Sequence, residues 1–81
     1  MIRIIYFGAA WCGPCHAFGP LLREVAPQVE YVDLDNDTED AAQQYRVLSV
    51  PTVIVLRDGE VVDRFGVLSA SALRERLAVH G

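Results

Sequence analysis

Three observations predict an α/β fold of order βαβαββα: an uninterrupted apolar run at the start, a Cys-Gly-Pro-Cys segment opening a helical apolar pattern, and an Asp-Gly pair between two strand-like runs. Ile2 to Phe7 is rich in β-branched and aromatic residues, which suits a strand buried on both faces of a sheet. Gly8 to Gly13 reads as a turn. Pro14 suits the first turn of a helix, where its missing N–H costs nothing, and Ala17, Phe18, Leu21, Leu22 and Val25 recur at helical spacing. This predicts a helix over about residues 13 to 27, kinked at Pro20, whose ring opposes an interior hydrogen bond.

Glu30 to Leu34 alternates polar and apolar residues as a second strand. Asp35-Asn36-Asp37-Thr38 then supplies turn and capping groups for a short helix bearing Ala41, Ala42 and Tyr45. Thr52 to Leu56 is a third strand, Asp58-Gly59 a hairpin turn, and Glu60 to Phe65 a fourth strand antiparallel to the third. Ser69 or Ser71 caps a last helix, whose Ala70, Leu73 and Leu77 form an apolar stripe facing the sheet.

The 81 residues are expected to form a single domain, 1–81, around one core. With 52% hydrophobic residues, folding requires neither a metal nor a structural disulfide. A net charge of −4, from 11 acidic and 7 basic side chains, speaks against nucleic acid or an anionic membrane as partner, because both need clustered positive charge. The opening apolar run is too short for a signal peptide or a membrane span, so the expected location is cytoplasmic. A soluble monomer is the expected state. In the cytoplasm thiols are kept reduced, and a close cysteine pair there is more often catalytic or metal-binding than a staple.

Cys12-Gly13-Pro14-Cys15 falls between a buried strand and a helix. Unpaired N–H groups and the helix dipole favour negative charge at a helix start, so a cysteine there ionises more readily than in a free peptide. Cys15, one turn further in, is positioned to attack a mixed disulfide formed on Cys12 and release the substrate. The competing readings are half a zinc site and a stapling disulfide. Zinc needs two further ligands, and the only histidines are His16, which helical geometry is expected to turn away, and His80. A staple closing so short a loop removes little entropy from the unfolded chain.

Trp11-Cys12-Gly13-Pro14-Cys15, followed by Val50-Pro51-Thr52, resembles the thioredoxin family. The likeness extends through Pro20, Tyr45, Asp58-Gly59 and Gly66-Val67-Leu68-Ser69, and so spans nearly the whole chain. It implies a minimal thioredoxin fold: a four-stranded mixed sheet of order 2-1-3-4 flanked by three helices. It further implies Cys12 as nucleophile, Cys15 as resolving thiol, a redox-active Cys12–Cys15 disulfide, and no bound cofactor or metal. Trp11, Gly13, Pro14 and a cis-Pro51 would support the active site. Trp11, Val50, Pro51 and Gly66 would bind substrate, Val50 through its backbone and Gly66 by leaving room. Disulfide-containing proteins would be the substrates, and an NADPH-dependent thioredoxin reductase the electron donor. The alternatives are a glutaredoxin-like hydrogen donor linked to glutathione or ribonucleotide reductase, and a non-catalytic binding module. Trp11 and the Gly-Pro dipeptide favour thioredoxin over glutaredoxin, where Pro-Tyr is more common.

Two departures stand out. The strand and helix that precede the first strand in full-length thioredoxins have no counterpart in these residues. Tyr6 falls where most thioredoxins place a buried aspartate, and the lysine that often accompanies it is also missing. Phenols titrate near about 10, so Tyr6 is a poor proton acceptor for Cys15. Water, Asp33 or Asp35 are the remaining candidates, and resolution is expected to be slower, or shifted to higher pH, than in relatives with the acid.

Overall fold

The opening apolar run forms β1 (Ile2–Gly8), and its side chains divide between the two faces of the sheet. Ile4 and Tyr6 join a twelve-residue core cluster on one face, while Ile5 and Phe7 join a four-residue cluster on the other. In the computed structural model, which describes residues 1–81, the sheet is completed by β2 (Glu30–Asp33), β3 (Thr52–Arg57) and β4 (Glu60–Phe65). The strand order is β2-β1-β3-β4, with β1 parallel to β2 and antiparallel to β3, and β3 antiparallel to β4. The expected order is thus confirmed. β3 repeats the two-sided pattern of β1: Val53 and Val55 face one cluster, Ile54 and Leu56 the other.

α1 (Gly13–Val25) and α3 (Ala70–His80) cover the larger cluster through Phe18, Leu22 and Leu73. On the opposite face, Ala41 and Ala42 of α2 (Ala41–Gln44) pack with Tyr45 against the smaller cluster. The β3–β4 turn follows from its two residues. Asp58 (φ 50°) and Gly59 (φ 88°) are both left-handed, as a two-residue hairpin matched to strand twist requires.

The boundaries differ from expectation in instructive ways. α1 includes Pro20 and stops at Val25, short of residue 27, because Pro27 forces Ala26 out of the helical region (φ −135°, ψ 80°). Leu34 belongs to a 3-10 turn (Leu34–Asn36) rather than to β2, and there the Asp33 carboxylate accepts from the Asp35 N–H at 3.0 Å. Asp37 caps α2, accepting from the N–H groups of Ala41 (2.9 Å) and Ala42 (2.8 Å). Ser69, not Ser71, caps α3, accepting from the Ala72 N–H at 3.3 Å. Within the expected stripe of α3 only Leu73 is fully buried.

Candidate active site

β1 ends at Gly8, and the chain turns through Ala9 and Ala10 into Cys12, which is the N-cap of α1. Its backbone is extended (φ −83°, ψ 106°), and its N–H donates to the Ala9 carbonyl at 3.1 Å. Gly13 and Pro14 fill the first helical positions, where no intrahelical donor is needed. The Cys15 N–H points back and donates to Cys12 Sγ at 3.2 Å. The two sulfurs are joined in a disulfide, with Cα atoms 5.3 Å apart. Helix geometry therefore aims an otherwise unpaired N–H, and the positive end of the dipole, at the Cys12 sulfur.

In this disulfide state Cys12 is 4% exposed. The cysteines pack into the larger core cluster with Tyr6 and Phe18, and the exposed member of the motif is Trp11. The Trp11 indole N–H donates to Asp35 Oδ1 at 3.3 Å, a tie to the turn after β2 that the sequence does not announce.

The Val50–Pro51 bond is cis, as the resemblance implies. Phe7 pairs with Thr52, so Pro51 lies just beyond the end of β1 from which the Cys12 turn departs. A Cβ on Gly66 would lie 3.4 Å from the Pro51 carbonyl oxygen, and both residues line a cleft of about 270 Å³ with Leu48 and Arg64. Val50 is half-buried and packs inward against both core clusters. Pro51 and Gly66 are thus brought together, while Trp11 is anchored on the β2 side.

A second cleft, of about 300 Å³, opens beside Cys15. Tyr6 and Tyr31 line it from the sheet, and His16 and Arg23 from α1. The Tyr6 side chain is 2% exposed, stacks edge-on against Phe18 and tilts against Tyr31, with ring centroids 6.0 and 5.2 Å apart. Its hydroxyl makes no hydrogen bond within the chain and opens into the cleft. Burial pushes the phenol above its ordinary pKa, so it stays neutral. The Arg23 guanidinium lies 5.3 Å from the centre of the Tyr31 ring.

No carboxylate lines this cleft, although Asp33 and Asp35 lie close enough to Tyr31 for their charges to raise its pKa, after burial. Asp33 holds the 3-10 turn and Asp35 holds Trp11. His16 also departs from expectation. Instead of being turned away it lines the cleft with Cys15, its Nε2 2.7 Å from the Ala10 carbonyl.

A four-stranded mixed sheet with a CxxC disulfide at the start of its first long helix, and a cis-proline just before the neighbouring strand, defines a thioredoxin-fold redox protein. The thioredoxin family model matches residues 1–78. A thioredoxin H-type from Fagopyrum esculentum is 35% identical over 81 residues, covering 95% of this chain and 70% of that protein. A thioredoxin from Staphylococcus aureus is 39% identical over 69 residues, covering 78% of this chain and 65% of its own. The X-ray structure of Fasciola hepatica thioredoxin superposes with a TM-score of 0.79 at 38% identity, covering 99% of this chain and 81% of that one. The chain belongs to the thioredoxin family. It spans roughly two thirds of the length of these two sequence relatives.

Proposed function

We propose that the protein reduces disulfides in other proteins by dithiol–disulfide exchange, with Cys12 attacking and Cys15 resolving. The observation that carries this reading is the Cys15 N–H aimed at Cys12 Sγ from the first turn of α1. In the reduced protein the same N–H and the helix dipole stabilise a Cys12 thiolate. That thiolate attacks one sulfur of the substrate disulfide, and the other sulfur departs as a thiolate. Cys15 then attacks Cys12 Sγ, closing the Cys12–Cys15 bond and expelling the second substrate thiol.

Trp11, Val50, Pro51 and Gly66 are the proposed substrate contacts. Val50 packs its side chain inward, which leaves its main chain for an extended segment, and the Pro51–Gly66 cleft accommodates the side chains beside the scissile bond. An NADPH-dependent thioredoxin reductase is the proposed electron donor, and the cytoplasm the proposed setting. The same fold with a glutathione-dependent cycle is the competing reading, and Gly13-Pro14 between the cysteines favours the thioredoxin cycle.

The test is reduction of insulin disulfides with either NADPH and thioredoxin reductase or glutathione and glutathione reductase. Turnover with the first system supports the proposal. Turnover with glutathione alone moves the protein to the glutaredoxin-like class. A Cys15→Ser variant is expected to accumulate substrate as a mixed disulfide on Cys12, whereas a binding module would trap none.

A further inference from the structure

The resolving step needs a base that the buried-acid position does not supply. Cys15 must lose a proton before it attacks Cys12, and it is buried at 6% exposure with a single cleft beside it. The ionisable side chains lining that cleft, apart from Cys15, are the Tyr6 and Tyr31 phenols, the Arg23 guanidinium and the His16 imidazole. The phenols are held neutral by desolvation, and the guanidinium has no lone pair with which to take up a proton. Histidine is the side chain whose charge changes between about pH 5 and 8.

The hydrogen bond of His16 decides which nitrogen is free. A carbonyl oxygen only accepts, so the Nε2 lying 2.7 Å from the Ala10 carbonyl carries the hydrogen. Nδ1 of the neutral ring is then the unprotonated nitrogen. The Tyr6 hydroxyl is the second observation. It sits on a 98% buried ring, lacks a partner within the chain, and opens into the same space, where it can donate to and accept from a solvent molecule.

We propose that the His16 imidazole, through solvent held against the Tyr6 hydroxyl, takes the proton of Cys15 as the mixed disulfide resolves. This rests on the oxidoreductase reading above. The proton passes from Cys15 Sγ through the solvent bridge to Nδ1. The Cys15 thiolate forms its bond to Cys12 Sγ as the bond from Cys12 to the substrate sulfur breaks. The substrate sulfur leaves with that electron pair and is reprotonated from the imidazolium or from water. The substrate disulfide gains two electrons and the Cys12–Cys15 dithiol loses them. Arg23, facing the same space, favours the thiolate through its fixed charge.

The test separates the two chemical steps by rapid quenching and mass spectrometry, following formation and decay of the mixed disulfide in the parent and in His16→Gln. Decay in the variant is expected to be about 10²-fold slower at pH 7, the scale of a lost general base, with partial recovery on adding imidazole. Parent decay should level off with rising pH, while the variant's rate keeps climbing toward alkaline pH. Tyr6→Phe is expected to slow decay without shifting the pH at which it levels off. Equal decay in parent and His16→Gln across pH, or a deficit that is independent of pH and unaffected by imidazole, overturns the proposal. No mixed disulfide in Cys15→Ser would overturn the oxidoreductase reading itself, a separate outcome.

Discussion

Asp63→Asn tests whether α3 is held to the sheet by charge as much as by apolar contact. Leu73 is the only fully buried side chain of α3, which leaves a small apolar contact for an eleven-residue helix. A bulge in β4, where Val55 pairs with Asp63 but Leu56 with Val61, turns Asp63 toward the face that α3 covers. There its carboxylate accepts from Arg76 Nε (2.7 Å) and its terminal nitrogen (2.9 Å), lies 2.9 Å from His80 Nε2, and accepts from the Arg64 N–H at 2.8 Å. The Arg76 bonds, then burial opposed by the His80 and Arg64 bonds, leave the carboxyl well below the ordinary range. Arg76 is 42% exposed, so solvent screens part of the gain. Removing the charge is expected to cost about 2 kcal/mol, toward the lower end for bonds to charged groups. For a domain of this size that lowers Tm by roughly 8–16 °C.

The pH dependence has a definite sign. A carboxyl whose folded-state pKa is depressed binds its proton first in the unfolded chain, so its stabilisation is complete above about pH 4 and is lost as pH falls toward the folded-state value. Paired thermal melts of parent and variant cancel the other acids. The gap in Tm should be full at pH 7 and shrink progressively below about pH 4. No gap at pH 7, or one that widens on acidification, would refute the clamp.

Two further predictions concern packing. A Cβ on Gly8 would lie 2.9 Å from the Tyr6 hydroxyl and 3.1 Å from both Tyr6 Cζ and Tyr31 Cε1, so Gly8→Ala should destabilise by about 1–3 kcal/mol in urea unfolding. Tyr6→Phe, by deleting the hydroxyl, should recover part of that loss in the double variant, and strict additivity would count against the contact. Leu73→Ala should cost about 2–5 kcal/mol because the side chain is fully buried, whereas Val79→Ala, 77% exposed on the same helix, should change stability by no more than about 0.5 kcal/mol.

What was legible in the sequence was local. A strand buried on both faces reads as an unbroken apolar run whichever strands flank it, and the Asp58-Gly59 turn announces itself because two left-handed residues are needed in succession. The cysteine pair is likewise contiguous, and the helix that positions it begins within the motif. Boundaries were less legible where two local signals compete. Pro27 outweighs the apolar spacing that would extend α1, and the Asp33 and Asp37 carboxylates settle the turn before α2.

The groups that finish the site were not legible, because each depends on tertiary register. Trp11 meets Asp35 across 24 positions, and nothing in either residue's neighbourhood announces the pairing. Asp63 reaches Arg76 and His80 only because a bulge resets the alternation of β4. His16 is the sharpest case. Helical projection from Cys15 separates consecutive side chains and so is expected to turn the imidazole away from the sulfur. The cleft, however, is bounded by β1 and β2 as well as by α1, and the Ala10 carbonyl draws the ring toward it. A side chain turned away from the Cys15 sulfur can still share its solvent, and that shared solvent is the proposed route for the proton.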